Sequence, residues 1–145
     1  NGGHEFSVRQ FDYNLFDYFD YHSYSLVDLD GDGDLDIVLN SFQGPVRIFR
    51  NNSQRAALNV ELRDSSGNRF GIGAQITIEY ADGKKQIREL KAGGGYMSFD
   101  PPVAHFGLND VTEISRLDIQ TSRGRHYSIK HRLPTSNHYV IELSP

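Results

Sequence analysis

The sequence predicts an all-β chain in two parts: a short β-meander built around one acidic hairpin loop, then an antiparallel β-sandwich. Three observations predict it. From Leu58 to Leu143, segments of four to seven residues alternate apolar and polar side chains, the period of strands with one buried face. Turn signals bearing glycine or aspartate separate those segments, as hairpin connections require. No stretch carries the 3.6-residue period of an amphipathic helix.

A chain of 145 residues can bury a real core. With 37% hydrophobic and 23% charged residues it falls with folded rather than disordered proteins. No run approaches the roughly 18 apolar residues a membrane-crossing helix needs, so no membrane span is expected. Cysteine is absent, which removes disulfides, thiolate metal sites and cysteine nucleophiles together. The net charge of −4 is unevenly spread: residues 1–40 hold nine acids and one base, and the remainder ten acids and fourteen bases. Neither half is basic enough for a nucleic-acid partner.

Taken in order, residues 1–23 form an aromatic-rich leader, with Phe6, Phe11, Tyr13, Phe16, Tyr18, Phe19 and Tyr21 interrupted by Asp12, Asp17 and Asp20. A segment so apolar must pack on something, in this chain or in another copy. Residues 24–53 read as the meander: Ser25-Leu26-Val27 enters the acidic loop, Ile37-Val38-Leu39 leaves it, and Gln43-Gly44-Pro45 turns into Val46-Arg47-Ile48-Phe49. Residues 54–145 supply the sandwich, with strands at 58–62, 74–80, 86–90, 114–119, 126–129 and 139–143. Asp82-Gly83, set between two of these, is a hairpin turn signal. Gly71-Ile72-Gly73 lacks the helix and third glycine of a dinucleotide site, and reads as a turn or bulge into the strand at 74–80.

The acidic loop is DLDGDGDLD, residues 28–36, with a carboxylate at every second position. Such like charge is repulsive unless something offsets it. Positions 1, 3, 5, 7 and 9 of a short loop are where Ca²⁺ finds its oxygens. Asp28, Asp30, Asp32 and Asp36 are then side-chain ligands and Asp34 offers its backbone carbonyl, with Gly31 and Gly33 free to take positive φ. An EF-hand would place glutamate at position 12, which here is Leu39, so the loop is a β-hairpin calcium loop instead. A solvated acidic turn is the bland alternative.

DLDGDGDLDIVL followed by GPVRIFRN resembles an FG-GAP or VCBS-type repeat, the calcium-loop blade unit of β-propellers in extracellular proteins. The following segment resembles the ASPIC/UnbV domain through Asn68-Arg69-Phe70-Gly71-Ile72-Gly73-Ala74, Gln86-Ile87-Arg88-Glu89, Gly93-Gly94-Gly95-Tyr96-Met97-Ser98 and His105-Phe106-Gly107-Leu108. Two places depart from that pattern: Ala57-Leu58 stands where an aromatic is common, and Gln120-Thr121 where Trp-Pro is. The resemblance implies a propeller-blade-like meander, a Ca²⁺ cofactor and an extracellular or cell-surface setting. Only one repeat is present where an array needs about three. The chain is therefore expected either to be the end of a longer protein or to complete its packing on the second domain or a neighbouring subunit.

Catalysis has no positive evidence: the six histidines show no metal spacing and no serine sits in a nucleophile elbow. The expected role is a non-catalytic calcium-binding structural or adhesion module whose partner is protein or glycan, with self-assembly through the leader. The alternative is a carbohydrate-binding module or an accessory domain of a polysaccharide-active enzyme, with Tyr96 and His105 as ligand surface. Asn51-Asn52-Ser53 is an N-glycosylation sequon at Asn51. Lys84, Lys85, Arg123, Arg125, Lys130 and Arg132 read as a solvated strand face.

Overall fold

The structure, a computed structural model, describes Ser7, Leu15 and residues 19–53, 55–135 and 137–144. Most of the aromatic leader lies outside these residues. Every regular element among them is a strand. The first sheet is a meander of β1 (Tyr21–Val27), β2 (Asp36–Ser41) and β3 (Arg47–Phe49), paired in that order and antiparallel throughout. β1 begins at Tyr21, so the last residues of the leader belong to this sheet. Phe19 lies beneath the Arg47 guanidinium, 5.2 Å from it, and Phe42 N donates to Asp20 O at 2.9 Å.

The remainder is a two-sheet sandwich. One sheet holds β4 (Ala56–Asp64) between β7 (Val103–Asn109) and β12 (Asn137–Leu143). The other runs in the order β10 (His126–Ile129), β9 (Arg116–Gln120), β5 (Gln75–Glu79), β6 (Lys85–Glu89). A small ribbon of β8 (Glu113–Ile114) and β11 (Leu133–Pro134) completes the set. Alternation places Leu58, Val60 and Leu62 of β4, Phe106 and Leu108 of β7, Ile76 and Ile78 of β5 and Leu117 and Ile119 of β9 in one buried cluster. Burial of each such side chain contributes about 1.5–3 kcal/mol, the dominant favourable term of the fold. At one margin Gln86 and Arg88 of β6 close the gap between sheets, donating to the carbonyls of Gly107 and His105 on β7.

The predicted β5–β6 hairpin forms: Glu79 pairs with Lys85, Tyr80 N and Lys84 O bond across the turn, and Gly83 holds φ +82°. Three features differ from the sequence reading. β12 lies parallel to β4 while β7 lies antiparallel to it, because the segments from β5 to β11 act as one long crossover; alternation reports burial, not direction. β7 is a strand that the pattern hid, since Ala104 and Gly107 carry little β preference. The expected strand at 114–119 breaks at Ser115, whose N–H and hydroxyl both donate to Glu79 O.

In β4 the residues Ala57, Leu58, Asn59 and Val60 are buried one after another. A strand covered on one face alternates; a strand covered on both does not. The inner face meets the core, and the outer face is covered by the acidic loop. A Cβ added at Gly33 would lie 3.9 Å from Ala57 Cβ, and Asn59 reaches Asp28. The meander sheet thus docks on the sandwich through its loop.

Candidate metal site and docking cleft

The loop between β1 and β2 is ordered by its own carboxylates. Gly31 and Gly33 sit at φ +76° and +94°, conformations that cost an L-residue side-chain strain. This folding turns successive amides inward. Asp28 Oδ1 accepts from Gly31 N at 2.8 Å and Oδ2 from Gly33 N at 3.0 Å, while Asp32 Oδ1 accepts from Asp34 N at 3.0 Å. Carboxylate oxygens of Asp28, Asp30 and Asp32 lie within 4.8 Å of one another. The Arg50 guanidinium, just past β3, contacts Asp30 Oδ2 and lies 3.8 Å from Asp32 Oδ2. Part of the loop's charge is therefore offset by the chain itself.

The last two aspartates hold the hairpin to its exit. Asp36 is buried, its Oδ2 accepting from Leu29 N at 3.0 Å and its Oδ1 from Asn51 N at 2.8 Å. Asp34, also buried, accepts from Ser53 Oγ at 2.5 Å. Asn51 and Ser53, which follow β3, thus clasp the acidic loop. Asn51 is exposed, and its Oδ1 accepts from Ser53 N at 3.1 Å.

Two side chains from beyond the hairpin bond to it, Asn59 and Asp100, and Asn59 carries His105 with it. Asn59 Nδ2 faces Asp28 Oδ2 at 3.4 Å, and a carboxylate only accepts, so Asn59 Oδ1 accepts from His105 Nδ1–H at 2.8 Å. His105 is thereby held in the tautomer whose Nε2 carries a lone pair. Burial pushes its pKa below the usual histidine range, with Arg88 acting in the same direction, against the opposing pull of Asp34 and Asp28. Asp100 Oδ1 accepts from Leu26 N at 2.8 Å and Ser25 Oγ at 3.2 Å, capping the free edge of β1. Between hairpin and sandwich remains a cleft of about 390 Å³, floored by Asn59, Ala104 and His105.

Tyr96 stands apart from that cleft, 70% exposed on a glycine loop with Met97 and Phe99. His105 lines the cleft and Tyr96 does not. Sequence missed Arg50, Asn59 and Asp100. Asn59 looked like an ordinary outward position of an alternating strand, and no local signal marks an arginine or aspartate whose partner is more than a dozen residues away. Four of the basic residues read as a solvated face are ion-paired: Lys84 with Asp82, Lys85 with Glu79, Arg132 with Glu113, and Arg125 with Asp64 at 2.6 Å.

The donor set of the loop is oxygen only, which suits a hard cation and not a thiophilic one. Its three gathered carboxylates fit a divalent ion. Fold and site together define an all-β module: a sandwich with an acidic hairpin docked on its outer face. The chain belongs to the ASPIC and UnbV family, whose family model matches residues 64–144. It is similar to Cartilage acidic protein 1 of Mus musculus and of Homo sapiens, 33% identical to each over 109 residues, or 71% of this chain and 16% of the relative. Cartilage acidic protein 1 of Xenopus tropicalis is 30% identical over 110 residues. The chain thus spans 16% of the length of the curated relatives it matches, and their printed name carries no enzymatic activity.

Proposed function

We propose that the chain is a non-catalytic, calcium-dependent structural module of an extracellular protein, in which an FG-GAP/VCBS-type hairpin is locked onto an ASPIC/UnbV sandwich. The observation that carries this reading is the gathering of Asp28, Asp30 and Asp32 beside a contact to the sandwich through Asn59. Asp28, Asp30 and Asp32 would hold the ion, with the Asp34 carbonyl and Asp36 as the remaining donors of the loop. Bound there, Ca²⁺ supplies the positive charge that the loop lacks. The protein's own part is to hold the carboxylates on one side of the turn, with Gly31 and Gly33 bending the chain and Asp28 bonded to the sandwich. Ion binding to the folded state then becomes folding stability. Relatives named for cartilage and for acidity support an extracellular setting.

The test is a thermal melt of the whole chain in millimolar Ca²⁺ and in chelator. The parent should melt higher with calcium, and an Asp30→Ala, Asp32→Ala double variant should show no calcium response. Equal melts for the parent in both conditions would overturn the reading. Arg50→Gln adds a control: the loop should become more dependent on calcium, because its internal counter-charge is gone. The leader is proposed to act in self-assembly, and deleting residues 1–18 should then reduce the size of the protein in solution.

A further inference from the structure

We propose that the cleft between the acidic hairpin and the sandwich binds a saccharide unit, a neutral ligand rich in hydroxyl donors. Its volume of about 390 Å³ falls in the ~300–1,000 Å³ range of small-molecule sites. Its polar lining mixes acceptors and donors. Asp28 and Asp100 contribute carboxylates, and His105, with Nδ1–H given to Asn59, contributes a bare Nε2. Arg88 and His138 also line the cleft: the Arg88 guanidinium donates to Ile87 O, His105 O and Gln86 Oε1 and keeps two further N–H groups, and His138 Nε2 lies 3.5 Å from Glu61 Oε2. A ligand there meets two carboxylates, one guanidinium and a bare ring nitrogen, a mixed lining that suits hydroxyls, which both donate and accept.

The other half of the wall is apolar and includes Leu26, Leu35, Pro101 and Val103. Hydroxyls on one edge and a C–H face on the other describe a pyranose ring better than a compact ammonium, whose hydration this wall would strip without return. Two walls are pinned independently of any ligand: Asp100 fixes the β1 edge, and Asn59 fixes both His105 and Asp28. Such preorganisation lowers the ordering cost of binding. Asp28 belongs to both the cleft and the carboxylate cluster, so an ion in the loop would stiffen one wall.

The test titrates the ¹⁵N-labelled full chain with glucose, galactose, N-acetylglucosamine and their short oligomers, with spermidine as the ammonium arm. At least one saccharide should give saturable amide shifts confined to the residues lining the cleft. Val103→Trp, which fills the cleft, and His105→Phe, which removes the acceptor, should each weaken that binding at least tenfold. Leu35→Trp repeats the block from the opposite wall should Val103→Trp fail to fold. Three results overturn the proposal: no saturable shift with any saccharide, binding unchanged in both filled variants, or a response to spermidine alone. The calcium melts report on a different outcome, since saccharide binding can persist where calcium has no effect.

Discussion

Gly71 shows what one missing side chain permits. It sits at φ +61°, and a Cβ added there would lie 2.8 Å from Leu62 Cδ1 and 3.0 Å from Leu62 Cβ. Leu62 is a fully buried core residue, so it has no room to give. Gly71→Ala should cost about 1–3 kcal/mol, from backbone strain and core displacement together, read as a lower denaturant midpoint with an unchanged slope. Gly83→Ala, at φ +82° with nothing within 4 Å of its added Cβ, meets only the strain and should cost less. Asp64 makes the second prediction at this scale. Hydrogen bonds from Ser66, and then the Arg125 guanidinium, lower its pKa from 3.8 to about 2. A carboxylate so depressed contributes stability above its unfolded value, and that contribution fades as pH falls from 3.8 towards 2. Asp64→Asn should flatten the acid limb of the stability curve in that window, measured by denaturation at successive pH values.

Among the elements, β4 carries the most information, because both of its faces are covered. Its alternation was legible: Leu58, Val60 and Leu62 share one face of the strand expected at 58–62, and that face is buried in the core. The cover on its other face was not legible. Nothing local in Ala57 or Asn59 says that a loop some thirty residues earlier will lie on them, since two-faced burial is a property of tertiary docking. The β5–β6 hairpin was readable for the opposite reason, as Asp82-Gly83 decides that turn within a few residues. The spacing of the acidic loop was likewise visible, while its counter-charge Arg50 and its clasp through Asn51 and Ser53 required the folded chain. Asp100 provides an element-scale prediction. Its Oδ1 accepts from the β1 edge at Leu26 N, so Asp100→Ala should speed amide hydrogen exchange across β1 and β2 and leave β4 and β5 protected. Equal acceleration in both sheets would mean that the hairpin and sandwich open as one unit.

Across the whole molecule, the acidic loop of the meander lies on the outer face of β4, and the sheet of β12, β4 and β7 packs by its inner face on the sheet of β10, β9, β5 and β6. The layer that holds β4 meets the acidic loop on one face and the core on the other. Asn59 and His105 belong to that layer, which is why a change in the hairpin reaches the sandwich through β4 and β7. Protonation of His105 is disfavoured in the fold, so stability should decline as pH falls below 6.5, the ordinary histidine value; His105→Gln should remove that dependence. The parallel pairing of β12 with β4 has a temporal consequence. The partners lie roughly eighty residues apart along the chain, among the slowest kinds of contact to close. During synthesis β4 emerges early and must wait, with one long edge open, until Asn137–Leu143 leaves the ribosome. That waiting edge is a template for mispairing with other nascent chains until β12 pairs with it.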